Sequence, residues 1–169
     1  MNINFNSHLS VFLTLFFSMP VWAHGDAMHA GAAKGLIMEQ KPWGVAAEST
    51  SVKRTIVITM DDQMRFTPNA IEVKEGERVR LRIHNAGRVQ HELVLGTHDE
   101  LMAHAQMMKR FPGMEHEEPY MAHVAPGRSV DMHWTFNRAG KFEFACLLPG
   151  HYEAGMRGAI AVATKEKRK

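Results

Sequence analysis

Short strand-like segments, separated by glycine and proline, dominate the chain between residues 53 and 163. Residues 55–60 are rich in β-branched side chains. Farther along, Val79, Leu81 and Ile83 alternate with arginine and histidine. A two-residue period of this kind is typical of a strand with one face in a core and the other in water. About seven such segments over roughly 100 residues predict an all-β sandwich.

One stretch departs from this strand pattern. Residues 99–110 have a helix-forming composition, with Leu101, Ala105 and Met108 at helical spacing. An acidic segment that carries His and Met follows and ends at a Pro-Gly pair. We therefore expect residues 97–126 to form a helix and loop inserted between two strands of the domain.

The N-terminus has the pattern of a secretory signal. Residues 9–17 are almost wholly apolar, and small side chains at Val21 and Ala23 follow. A retained membrane anchor is the alternative, but a run of about nine residues is well short of the ~20 that span a bilayer. We expect cleavage of residues 1–23, export to the periplasm and no stable membrane span afterwards.

The ends of the domain differ from its centre in composition. Residues 24–52 mix Gly, Ala, Ser, His and Met with little periodicity, which predicts a flexible lead-in. Residues 164–169 form a basic tail, in which the last five residues carry a net charge of +3. The whole chain has a formal charge of +2, so the remainder sums to −1. The basic balance therefore belongs to the tail and does not indicate a nucleic-acid-binding surface.

The chain has one cysteine, Cys146, beside 11 histidines and 13 methionines. A single cysteine forms no internal disulfide, so a disulfide framework does not stabilise this fold. In an oxidising compartment an unpaired thiol is a liability unless it is buried or bound to metal.

Cys146, His151 and Met156 lie within one strand end and its loop, at Cys-x4-His-x4-Met spacing. His91 lies upstream in a predicted strand. Taken singly, these residues have ordinary interpretations as a core thiol, satisfied histidines and a packing methionine. Together they provide the trigonal His2Cys set with a long axial Met that is typical of a type 1, or blue-copper, site.

Other metal centres fit the segment less well. Zinc is disfavoured, because methionine is a poor zinc ligand and the usual second cysteine is missing. A dinuclear electron-transfer copper site would need two cysteines in this loop. A multicopper oxidase would need paired His-x-His motifs, and the sequence has none.

Several motifs of the chain resemble those of the cupredoxins over roughly residues 53–163. They are Met64-x-Phe66-x-Pro68, Asn85-x-Gly87-x3-His91, Gly140 to Cys146 and Pro149-Gly150-His151. The resemblance implies a Greek-key β-sandwich that binds one type 1 copper through His91, Cys146, His151 and Met156. One departure follows the first ligand, where Glu92 replaces the Asn usual in azurins and plastocyanins. That change leaves the blue or green optical class open.

Further histidines and methionines lie outside this set. After cleavage, His24 would become the N-terminus, and its amine and imidazole would chelate Cu(II). Thioethers suit Cu(I) and imidazoles suit Cu(II), although methionine also packs readily against helices, so simple packing is the alternative. The candidate auxiliary copper ligands are His24, Met28, His29, Met107, Met114, His116, Met121 and His123.

This surplus of soft ligands favours a protein that handles copper itself. The His- and Met-bearing insertion and the strand at residues 91–93 resemble the periplasmic copper-tolerance cupredoxins of proteobacteria. The resemblance implies copper binding and copper tolerance, with at most a cuprous oxidase-like activity. The alternative is a soluble periplasmic electron carrier, whose redox partner would dock on the apolar rim of residues 147–150 around His151.

Overall fold

The computed structural model describes residues 38–111 and 117–165, which lie in one compact unit comprising residues 35–169. The predicted signal segment and most of the basic tail lie outside the described residues. No helix in the described part of the chain is long and apolar enough to cross a membrane.

Within these residues the chain forms ten strands, one α-helix and a single 3-10 turn (Ser49–Ser51). The strands are β1 (Val45–Ala46), β2 (Arg54–Asp61), β3 (Arg65–Thr67), β4 (Ala70–Lys74), β5 (Glu77–Asn85), β6 (His91–Gly96), β7 (Met121–Val124), β8 (Ser129–Phe136), β9 (Gly140–Ala145) and β10 (Arg157–Ala163). The helix α1 (His98–Arg110) connects β6 to the segment before β7.

The strands form two five-stranded sheets, ordered β1-β8-β5-β2-β3 and β4-β10-β9-β6-β7. The β2–β5 and β4–β10 pairs are parallel, and the other neighbours are antiparallel. Buried side chains such as Ile58, Leu81, Trp134 and Phe144 fill the space between the sheets. Burial of each contributes about 1.5–3 kcal/mol. The all-β sandwich predicted from the alternating pattern is confirmed.

Strand β6 is buried at all six positions, because helix α1 covers the outer face of its sheet. The helix begins with a capping box, in which Thr97 Oγ1 accepts from Glu100 N and Glu100 Oε2 accepts from Thr97 N. Leu101 then packs on Val94 and its neighbours. The helix insertion is therefore confirmed, and it seals the strand on which the first candidate ligand lies.

The expected loop after the helix contains an additional strand. Residues 121–124 pair with β6 as β7, with His123 opposite Glu92. The segment has no helical period. Its Met121, Ala122 and Val124 side chains are buried in the domain. The sequence interpretation missed β7 because four residues are too few to show a strand period.

The flexible lead-in expected over residues 24–52 is wrong for its described C-terminal part. Val45 and Ala46 pair with Thr135 and Trp134 of β8, and Trp43 is 3% exposed. The Trp134 indole N–H donates to the Trp43 carbonyl at 3.3 Å. The local sequence pattern does not predict this contact, because the segment packs on β8, about 90 residues away.

Candidate metal centre

Three donor atoms, one from β6 and two from the loop between β9 and β10, meet at one end of the sandwich. His91 begins β6, Cys146 follows β9, and His151 lies in the loop before β10. His91 Nδ1 is 3.3 Å from His151 Nδ1, which is 3.2 Å from Cys146 Sγ. All three atoms lie within 4.8 Å of one another. Donors at bond lengths of about 2.0–2.3 Å from one metal ion are about 3.3–3.7 Å apart, so the cluster fits a single ion.

The loop between Cys146 and Met156 is closed by its own backbone. Cys146 N donates to Met156 O at 3.1 Å, and Met156 N donates to His151 O at 3.0 Å. Gly150 has φ +86°, a left-handed conformation that favours glycine at the turn before His151. The fully buried Met156 side chain is thereby placed in the core cluster that also contains Cys146.

The protonation states suit a site that acquires a metal. Burial raises the pKa of the Cys146 thiol to about 12, and Glu92 N donates to its sulfur at 3.5 Å. Burial, followed by the nearby His91 ring, lowers the pKa of His151. The metal-free site at neutral pH therefore holds a thiol and a neutral His151 imidazole. On coordination the thiol has to lose a proton, whereas the His151 ring does not.

The chemistry of the donor set fits copper. A thiolate with two imidazoles suits an ion that cycles between a soft and a harder oxidation state, for which copper supplies one-electron chemistry. His91 is fully buried, whereas the His151 side chain reaches the surface in part. The rigid β-sandwich holds both rings in place.

Glu92 is fully buried beside this centre. Its Oε1 accepts from Leu147 N at 2.8 Å, immediately after Cys146, and its Oε2 is 3.2 Å from His123 Nδ1. Glu92, which stands where azurins and plastocyanins usually have Asn, therefore links β6 to the loop after Cys146. The sequence alone showed Glu92 in place of the usual Asn, but it did not predict the contact with His123.

The structure places the described auxiliary candidates in different environments. Met107 lies on the exposed side of α1, Met121 is buried beneath the helix, and His123 faces Glu92. Among the residues the structure describes, His91, Cys146 and His151 are the one group of three or more His, Cys, Asp or Glu donors close enough to share a metal ion. The remaining auxiliary candidates, His24, Met28, His29, Met114 and His116, lie outside the described residues.

Residues 50–163 match the family model of copper-binding proteins of the plastocyanin/azurin family. The match covers most of the chain and includes the whole donor cluster. The chain belongs to the plastocyanin/azurin family. Copper is therefore the cofactor of this cupredoxin, and the resemblance inferred from its motifs is confirmed.

Similar proteins carry names that refer to copper. The copper-resistant cuproprotein CopI of Rubrivivax gelatinosus is 47% identical over 139 residues, covering 82% of each chain. CopI of Pseudomonas aeruginosa is 36% identical, covering 82% of this cupredoxin and 89% of the relative. Reduced auracyanin from Roseiflexus castenholzii has the same fold, with a TM-score of 0.57 and 21% identity. That likeness covers 66% of this chain and 98% of auracyanin.

Proposed function

We propose that His91, Cys146 and His151 are the equatorial ligands of one type 1 copper and that Met156 is its axial ligand. The observation that carries this assignment is the convergence of the His91 imidazole of β6 with the thiol and the second imidazole of the loop after β9. The assignment of Met156 rests on its burial and on the backbone hydrogen bonds that join it to Cys146 and His151.

Copper tolerance in the periplasm is the function that this site supports best. Two relatives of at least 36% identity are named copper-resistant cuproproteins, and the N-terminal signal pattern supports export. In this role the protein binds copper and takes part in redox handling of Cu(I) and Cu(II). Additional copper on the auxiliary His and Met residues belongs to the same proposal.

One observation favours the electron carrier as a second candidate. His151 is half-buried, and Pro149 and Gly150 beside it are exposed. A partner that docked there would come close to a ligand of the metal, which is the short path that electron transfer needs. The apolar Leu148 packs partly against the core and adds to this surface.

The ligand assignment is tested by the optical spectrum of the cleaved protein with Cu(II). We expect an intense thiolate-to-copper band and its complete loss in Cys146→Ser, which keeps the size of the side chain but lacks the soft donor. A Cys146→Ser protein that retained the band would refute the site.

The cellular role is tested by deleting the gene and measuring growth in copper and respiration separately. Copper sensitivity with intact respiration supports tolerance and excludes the carrier role, and the reverse result excludes tolerance. For the auxiliary sites we expect more than one copper per chain, falling when residues 24–34 are removed. One copper in both forms would exclude them.

A further inference from the structure

Asp62 lies in the turn after β2, 29 residues before His91 in sequence, and its carboxylate contacts the loop before β6. Arg88 N donates to Oδ2 at 2.8 Å, and Val89 N donates to Oδ1 at 3.3 Å. The same Oδ1 lies 3.4 Å from His91 Nε2. A single carboxylate thus joins the loop before β6 to the ring of the first copper ligand.

The opposite nitrogen of the same ring faces the donor cluster. His91 Nδ1 is 3.3 Å from His151 Nδ1, so the lone pair that could bind a metal is on Nδ1. A neutral imidazole has one N–H, and Asp62 accepts hydrogen bonds but donates none when it is ionised. The contact therefore selects the tautomer that carries the proton on Nε2 and leaves Nδ1 free to coordinate.

Gly87 makes room for this carboxylate. A Cβ atom there would lie 2.1 Å from Asp62 Oδ1 and 3.2 Å from Asn85 Oδ1. Asn85 accepts from Gly87 N at 2.8 Å and donates to Val89 O at 2.8 Å, so the loop is held on that side as well. The glycine of the Asn85-x-Gly87-x3-His91 motif thus serves the close approach of Asp62.

We propose that Asp62 is a positioning residue of the copper centre. It holds the His91 ring and tautomer for coordination through Nδ1, and its negative charge makes that imidazole a stronger donor, which favours Cu(II) over Cu(I). Carboxylate–histidine–metal triads orient ligands in this way and raise their basicity. The proposal rests on the ligand role proposed above for His91.

A purely structural role is the competing explanation, because the two backbone contacts would also hold the loop. The charge separates the two explanations. Asp62→Asn keeps an oxygen that accepts from Arg88 N but removes the charge opposite His91. A matched control is Arg88→Ala. The Arg88 side chain is 96% exposed, so its ion pair with Asp62, with Nε 3.7 Å from Oδ2, is weak. That change leaves the backbone contacts of Asp62 in place.

The test measures the reduction potential and the Cu(II) affinity of wild type, Asp62→Asn and Arg88→Ala, each shown by circular dichroism to be folded. In Asp62→Asn we expect a higher potential and an affinity for Cu(II) lower by about 10- to 100-fold. In Arg88→Ala we expect both to stay at the wild-type values. Gly87→Ala displaces the Asp62 carboxylate without removing its charge, and it should also raise the reduction potential.

A second readout needs no metal. ¹⁵N-edited spectra of the metal-free protein should show the Nε2–H tautomer of His91 in wild type and Arg88→Ala. In Asp62→Asn the share of the Nδ1–H tautomer should rise, because a neutral amide accepts more weakly than a carboxylate. An unchanged potential and tautomer in Asp62→Asn and Gly87→Ala, even with lower thermal stability, would overturn the proposal. Absence of the thiolate-to-copper band in wild type would instead count against the ligand assignment, so the two failures are distinguishable.

Discussion

Cys146 combines two properties at one residue, because it is fully buried and its sulfur faces a histidine. Burial in apolar surroundings opposes ionisation, while a metal ion demands the thiolate. The same side chain is therefore unreactive without copper, and it is a strong donor in the ligand role proposed above. In the periplasm, the location proposed above, this burial protects the unpaired thiol from oxidation.

The raised pKa of Cys146, about 12 against an ordinary value near 8.5, leads to a reactivity prediction. In the metal-free folded protein the thiol stays protonated as the pH rises past the ordinary value. We expect iodoacetamide at about pH 8 to modify it at least tenfold more slowly than in the same protein unfolded in urea, because the thiolate is the nucleophile. Equal rates, measured by intact mass, would contradict the buried thiol.

Glu92 supports the ligand loop by accepting from Leu147 N while it faces His123. Glu92→Leu leaves that N–H unsatisfied and should lower the free energy of unfolding by about 1–3 kcal/mol. Glu92→Gln retains an acceptor and should lower it less. Urea unfolding of the metal-free protein measures both. The control is Glu153→Leu, whose exposed side chain and surface pair with Lys109 should make a change within about 0.5 kcal/mol.

At the scale of elements, the sandwich is extended by a segment that precedes its first long strand. The short β1 pairs with β8, and Trp43 enters the core next to Tyr120, with ring centroids 5.7 Å apart. The segment thus covers the edge of one sheet with backbone pairing and a large aromatic side chain.

Trp43→Ala tests how much this segment contributes. Removing a fully buried indole should cost about 3–5 kcal/mol and lower the melting temperature, because the cavity cannot collapse between two sheets. Met38→Ala is the control, since Met38 is 58% exposed and should change stability little. Thermal unfolding of both variants decides whether residues 38–47 belong to the folded domain, and equal melting temperatures would contradict that.

At the scale of the whole molecule, the metal centre lies where strand β6 meets the loop between β9 and β10. The proposed ligand His91 lies on β6, and the loop with the other proposed ligands connects β9 to β10 of the same sheet. Metal bound there ties these segments together, so copper binding is coupled to the stability of the entire domain.

Copper should therefore raise the stability of the wild-type protein. At a free-metal concentration of about 1,000 times Kd, linkage predicts a gain of about 4 kcal/mol in the free energy of unfolding. The melting temperature with and without copper, under an inert atmosphere, measures the gain. Cys146→Ser should gain far less, and an equal increase in that variant would place the stabilising copper elsewhere.

Much of this molecule was predictable because its signals are local. The β-branched composition of β2 and the two-residue period of β5 indicated strands, and the helical spacing of Leu101 and Met108 indicated α1. The spacing from Cys146 to Met156 likewise indicated a copper loop, because three of the four proposed ligands lie within eleven consecutive residues.

The tertiary structure alone decided what depends on distant partners. Trp43 and β7 are ordered by strands far from them in sequence, and no local period marks them. The contact of Asp62 with His91 and that of Glu92 with His123 likewise join residues 29 and 31 positions apart. The sequence by itself determined the metal and the ligand set proposed to bind it. The fold decided which carboxylates surround those ligands, because charge acts through space and not along the chain.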